Sequence, residues 1–342
     1  MKLFRFALLI AVSVVMCVSG ALAAEVTVRK DVLYATHDGV PLYGDLYLPA
    51  TPGPHPAMMF IHGGAWKVGS KAAYNFSWGP YLAEHGYVVF SIDYRLSKPG
   101  QPTWPQALLD CKAALQYLRG NAASLGLDPE RIGVGGDSAG GELSSILALT
   151  QDWPAFAKRY PNDEFAAHNT RVKAVVPAYA VFSMANWWVW TKQGFKPEAL
   201  EYNSLDELFG GSPMQAQAAY FEASPINYVL ASSAALKDVA LPNAGLRTAW
   251  FVTWGEVDTI VPAEGQSLVF VQALKDAGAS VVAAPVPNVG HFWFSRSKLT
   301  GQAGVPTACK VEPGNVVACA AASPNDFIGP RLLEFLAKNL GP

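Results

Sequence analysis

Apolar runs bounded by glycine and proline recur along the chain, and most are too continuous for a sheet with one wet face. "HPAMMFIHGG" (55–64), "YVVFSIDYRL" (87–96), "RIGVGG" (131–136), "RVKAVVPAYA" (171–180), "TAWFVTWG" (248–255) and "SVVAAPVP" (280–287) read as buried strands. Segments with helical spacing stand between or after them: 72–86, 103–122, 139–150, 264–278 and 325–340. At the start, "EVTVRKDVLYAT" and "LYGDLYLP" read as an edge hairpin. Strands alternating with helices predict an α/β fold, a mainly parallel central sheet with helices on both faces. The rhythm breaks at about 181–227, an aromatic-rich stretch long for a connection between neighbouring strands. It is expected to be a cap inserted into a single domain spanning 24–342.

The N-terminus changes the setting. Lys2 and Arg5, an apolar stretch from Phe6 to Val18 and the Ala21-Leu22-Ala23 pattern read as a signal peptide over 1–23. The protein is therefore expected to be exported, periplasmic or secreted. The apolar run is short for a span and no stop-transfer charges follow, so no stable membrane anchor is expected. Cys17 leaves with the leader. Cys309 and Cys319 bracket "CKVEPGNVVAC" and are disulfide candidates in an oxidising compartment, while Cys111 reads as a small buried hydrophobe. A formal net charge of −2 offers no basic face for nucleic acid. No C-x-x-C or H-E-x-x-H spacing occurs, so no metal is expected.

The chemistry gathers around "GVGGDSAGGELSS" (133–145), which fits a plain turn, a phosphate cradle or a strained nucleophile turn. A phosphate loop needs a lysine after its glycines, and none is there. Gly136 to Gly140 match G-x-S-x-G between a predicted strand and a predicted helix, which favours Ser138 as nucleophile. A serine needs a base oriented by an acid. His291 follows the last predicted strand in a Gly-flanked loop, and Asp258, favoured over Glu256, follows the strand before it. His62 is expected to bond its own loop, and His37, His55, His85 and His168 to be exposed. Asp45 and Asp93 read as structural, pairing with Arg95 or capping backbone, and Glu142 as a helix-dipole partner or half of a surface pair. The amides of Gly63, Gly64 and Ala139 are candidate oxyanion donors. Trp66, Trp187, Trp188 and Trp293 are candidate substrate-binding residues, suited to an apolar or aromatic acyl group or a sugar-linked ester.

Taken together, "HGGAW", "DYRL", "GDSAGG", "GEVDTIVP" and "GHFWF" resemble the α/β-hydrolase superfamily. The resemblance is to its carboxylesterase/lipase branch, which includes hormone-sensitive-lipase-like and bacterial feruloyl-esterase-like enzymes. It runs from about Val26 to Leu340. It implies a serine ester hydrolase acting on a small-molecule ester of feruloyl, acetyl or short-acyl type, with no cofactor. H-G-G-A stands where H-G-G-G is common, but Ala65 keeps its backbone N–H. Two other readings are an amidase or formamidase with the same triad and a non-catalytic hydrolase-like binding protein.

Overall fold

The computed structural model describes residues 25–157, 159–231, 244–314 and 316–341, so the expected leader at 1–23, with Cys17, lies outside the described residues. Strands β1 Thr27–His37, β2 Val40–Leu48, β3 His55–Ile61, β4 Val88–Ile92, β5 Leu127–Asp137, β6 Ala174–Ala178, β7 Ala249–Gly255 and β8 Val281–Val286 form one sheet. Their order across it is β1-β2-β4-β3-β5-β6-β7-β8. From β4 across to β8 every neighbouring pair is parallel; β2 runs antiparallel to both β1 and β4.

The apolar runs explain this arrangement. β4, β6 and β7 are buried at every position, so both of their faces are covered. β1, at the edge, is exposed along most of its length. The helices are α1 Trp78–Glu84, α2 Gln106–Gly120, α3 Ala122–Leu125, α4 Ala139–Thr150 and α5 Pro154–Ala157. After β6 come α6 Met184–Gly194, α7 Ser204–Phe209, α8 Gln217–Glu222 and α9 Pro225–Ala231, the stretch expected to be a cap. The chain closes with α10 Ser267–Asp276, α11 Trp293–Arg296 and α12 Pro324–Leu340. α4 is buried at all 12 of its residues, which makes it the central helix of the fold. Its apolar side chains leave no polar stripe for solvent.

One expected helix is broken. Residues 72–86 form a 3₁₀ turn, Lys71–Tyr74, and only then α1, because Ser77 sits at φ −134°, ψ −105° between them. Pro80 falls in the first turn of α1, where its missing N–H costs little. Near the C-terminus a short hairpin, β9 Lys310–Glu312 and β10 Val316–Ala318, is flanked by Cys309 and Cys319, whose sulfurs lie 2.08 Å apart. Cys111 is fully buried. No helix among the described residues is long and apolar enough to cross a membrane.

Candidate active site

β5 ends at Asp137 and α4 begins at Ala139, so Ser138 alone makes the turn, at φ 52° and ψ −118°. Such a backbone is strained for a residue with a side chain. Neighbours hold it: Ser138 N donates to Ala178 O at 2.9 Å, and Glu142 N to Ser138 O at 3.0 Å. A Cβ on Gly140 would sit 1.9 Å from Ile61 O, so only glycine lets α4 lie this close to β3. The hydroxyl is thereby pushed to the carboxyl ends of the parallel strands.

The loops after β7 and β8 bring Asp258 and His291 to the same point. Asp258 Oδ1 accepts from the amides of Ile260 and Val261 at 2.9 and 3.0 Å, which fixes the carboxylate. Its Oδ2 lies 2.7 Å from His291 Nδ1, and His291 Nε2 lies 3.0 Å from Ser138 Oγ. An ionised carboxylate only accepts, so Nδ1 carries the proton and Nε2 is left to accept from the serine hydroxyl. Asp258 and His291 are both buried, and Ser138 is partly open.

The loop after β3 faces this group, and here one expectation is corrected. Gly63 N donates to Asp137 Oδ1 at 3.0 Å, so that amide is occupied and does not point at substrate. The amides of Gly64 and Ala139 have no acceptor among the described residues. Gly64 sits at φ 117°, where an added Cβ would also meet Val68 O at 2.1 Å; the turn demands glycine. His62 bonds its own loop as expected, Nδ1–H donating to Gly63 O at 2.7 Å, and burial pushes its pKa down, keeping the ring neutral.

A cavity of about 220 Å³ opens above Ser138 and His291. Of the four tryptophans expected to bind substrate, only Trp187 lines it, its Nε1 donating to Ile260 O at 2.9 Å. Trp66 and Trp293 are corrections, since both are wholly buried. Trp66 packs edge-on behind Trp187 with ring centroids 5.7 Å apart, and Trp293 packs at 5.7 Å against Tyr179, which itself lies 4.3 Å from the His291 ring. Trp188 is turned away from the cavity walls, its Nε1 donating to Asp206 Oδ1 at 2.8 Å. Sequence reasoning missed Leu200, Glu201, Ile260 and Arg296, which complete the walls with Phe292 and the oxyanion loop. Arg296 followed the candidate base in "GHFWFSR", which was the available signal.

The family model BD-FAE matches residues 44–274, more than half of the chain. The chain belongs to the BD-FAE family. With the fold above, this puts it in the esterase branch of the α/β-hydrolases. Among relatives, Esterase LipQ of Mycobacterium tuberculosis is 31% identical over 69% of this chain and 50% of its own length. The probable carboxylic ester hydrolase LipM of the same organism is 31% identical over 70% and 49%. The chain thus spans about half the length of these relatives. Among solved structures, the truncated form of a carbohydrate esterase from gut microbiota superposes with TM-score 0.62 at 26% identity, over 81% of this chain and 95% of that one. A thermophilic esterase from Thermogutta terrifontis gives TM-score 0.56 at 26% identity, over 80% and 84%.

In this BD-FAE member, several charged groups depart from expectation. Glu142 is neither a surface pair nor a dipole partner: it is fully buried, and its Oε2 accepts from Trp66 Nε1 at 3.0 Å. Burial pushes its carboxyl well above 4.5, so it is a neutral acid tying α4 to the oxyanion loop. Its other oxygen has no hydrogen-bond partner among the described residues. His37, expected exposed, is fully buried between Asp110 Oδ1 at 2.6 Å and Asp163 Oδ2 at 2.8 Å. His85 and His168 are exposed as read, and His55 is partly so. Asp93 pairs with Lys71 and caps its amide, and Asp45 accepts from Asp31 N; the partners of Arg95 are instead Asp110 and Asp38. Asp137 was passed over as the variable residue of the motif, yet it accepts from Gly63 N, Tyr74, Tyr179 and Ser295.

Proposed function

We propose that this chain is a serine carboxylesterase in which Ser138 is the nucleophile, His291 the general base and Asp258 the group orienting the base. The observation that carries this reading is the unbroken hydrogen-bond line from Ser138 Oγ to His291 Nε2 at 3.0 Å and from His291 Nδ1 to Asp258 Oδ2 at 2.7 Å. In the first half-reaction Ser138 Oγ bonds to the ester carbonyl carbon while its proton passes to His291 Nε2. The C–O bond then breaks, the imidazolium returns that proton to the departing alkoxide, and the alcohol leaves. In the second half-reaction water attacks the acyl-serine and loses a proton to His291; the bond from the acyl carbon to Ser138 Oγ then breaks, the imidazolium returns that proton to Ser138 Oγ, and the acid is released. The amides of Gly64 and Ala139 donate to the oxyanion of each tetrahedral intermediate. Such donors stabilise charge that exists only in the transition state, each being worth roughly 3 kcal/mol.

A cavity of about 220 Å³ walled by Trp187, Leu200, Ile260 and Phe292 suits a compact acyl group, short or single-ringed. The esterase names of LipQ, LipM and the solved neighbours support the ester over the amide reading. Export is part of the proposal: the paired Cys309 and Cys319 would persist as a disulfide in an oxidising compartment. The test is Ser138→Ala on p-nitrophenyl acetate and butyrate, with matched anilides. A fall of roughly 10⁶-fold in kcat, together with loss of fluorophosphonate labelling, is expected. Wild-type rates in the variant would refute the assignment, and faster turnover of the anilides would make the enzyme an amidase.

A further inference from the structure

Beyond Ser138, His291 and the glycine-bearing loop after β3, the cavity is walled by apolar side chains and two charged ones, Glu201 from the segment between α6 and α7 and Arg296 at the end of α11. Neither side chain forms an ion pair or a hydrogen bond among the described residues, although other charges of the chain are widely paired. The two differ in how they are held. The Arg296 guanidinium lies 4.0 Å over the Phe292 ring, and Arg296 N donates to Phe292 O at 3.1 Å. Phe292, at φ 72°, packs edge-on against the His291 ring at 4.8 Å. The guanidinium is therefore fixed relative to the base, with its planar donor edge uncommitted. Glu201 has no ring or hydrogen bond holding it.

We propose that Arg296 makes this site select esters that carry a free carboxylate, as the half-ester of a dicarboxylic acid does. The inference rests on the esterase reading above. A planar guanidinium already ordered by stacking binds a carboxylate through two parallel N–H donors and loses little further side-chain freedom in doing so. The apolar walls around it lower the competition from water. Glu201, facing the same cavity, repels the same carboxylate and keeps it on the Arg296 side.

The experiment compares kcat/KM, by pH-stat, for monoethyl glutarate against ethyl valerate, which puts the charge on the acyl part. A second pair, 4-acetoxybutyrate against butyl acetate, puts it on the alcohol part. The quantity read is the ratio of charged to neutral substrate. In one of the two pairs Arg296→Gln is expected to lower that ratio about ten-fold or more, chiefly through KM, with Arg296→Lys in between. Glu201→Gln is expected to raise it a few-fold. The pair that responds identifies the side that carries the charge. Ratios unchanged within two-fold in Arg296→Gln for both pairs, or a Glu201→Gln effect of the opposite sign, would overturn the proposal. Fluorophosphonate labelling of Ser138 in each variant reports a folded site. Failure of the esterase reading looks different, because Ser138→Ala would then match the wild type on every substrate.

Discussion

Replacing Asp137 by asparagine separates a carboxylate clamp from a mere space-filling side chain. The carboxylate is buried, with Oδ1 accepting from Gly63 N at 3.0 Å and Tyr74 Oη at 2.5 Å. Its Oδ2 accepts from Tyr179 Oη at 3.1 Å and Ser295 Oγ at 2.8 Å. An amide offers one accepting oxygen, and it must face Gly63, whose N–H cannot turn. The NH₂ then faces two hydroxyls. Ser295 can rotate to accept, but Tyr179 Oη already accepts from Phe294 N at 3.1 Å, so its own proton is left without an acceptor. One orphaned buried donor costs about 1–3 kcal/mol, and two retained bonds lose charge assistance at about 1 kcal/mol each. The expected loss is about 3–5 kcal/mol. Urea unfolding reads this as a lower midpoint at constant slope. Because Gly63 leads into the oxyanion loop and Ser295 follows the base, kcat on p-nitrophenyl acetate is expected to fall as well. A variant within about 1 kcal/mol of wild type and with unchanged kcat would refute the clamp.

Two further outcomes follow from buried titrating groups. Burial opposes charge on His37, but its hydrogen bonds to Asp110 and Asp163 outweigh that and raise its pKa above 6.5, so its stabilisation is full below about 6.5 and is lost as pH rises through the raised value. The melting-temperature gap between wild type and His37→Gln should narrow from about pH 6 to pH 9, and a gap that widens would contradict the assignment. Glu142 has the opposite chemistry: its folded carboxyl is held neutral above 4.5 by burial, so wild-type stability declines as pH rises past 4.5. Glu142→Gln should therefore gain on wild type from about pH 5 to pH 8, whereas Glu142→Leu orphans Trp66 Nε1 and should cost about 1–3 kcal/mol. A Glu142→Gln difference that does not vary with pH would show an ionised side chain.

Legibility in the sequence followed the range of the interaction. The parallel strands were readable because a strand covered on both faces must be apolar throughout, as β7 is. Ser138, Asp258 and His291 were readable because each falls just beyond a strand end, where a parallel sheet exposes its loops. What failed was direction and distant pairing. Trp66 and Trp293 sit beside site residues in the chain, yet positive φ at Trp66 (57°) and at Phe292 (72°) accompanies side chains directed into the interior. His37 meets Asp110 and Asp163, 73 and 126 positions away, and no local pattern announces that. Gly63 looked available because glycine permits an open amide; the acceptor that occupies it belongs to the nucleophile motif itself.

That last coincidence has a physical logic. Ser138 holds a backbone conformation that costs on the order of 1–3 kcal/mol, and such a turn relaxes unless its surroundings over-determine it. The preceding residue supplies the constraint: Asp137 joins the loop after β3, the 3₁₀ turn through Tyr74, the end of β6 through Tyr179 and α11 through Ser295. Relaxing Ser138 would require moving a carboxylate that four donors grip, so the strain stays local. The same grip sets the loop bearing Gly64 and the helix following His291, which fixes the Ser138 hydroxyl, the His291 imidazole and the Gly64 and Ala139 amides relative to one another. Leu200 and Glu201, by contrast, reach the cavity from outside that network. Arg296, the residue proposed to select the substrate, sits on α11 within that network, so only the Leu200–Glu201 wall is held apart from it, and substitutions in the segment between β6 and β7 should change which ester is taken while leaving the line from Ser138 to Asp258 intact.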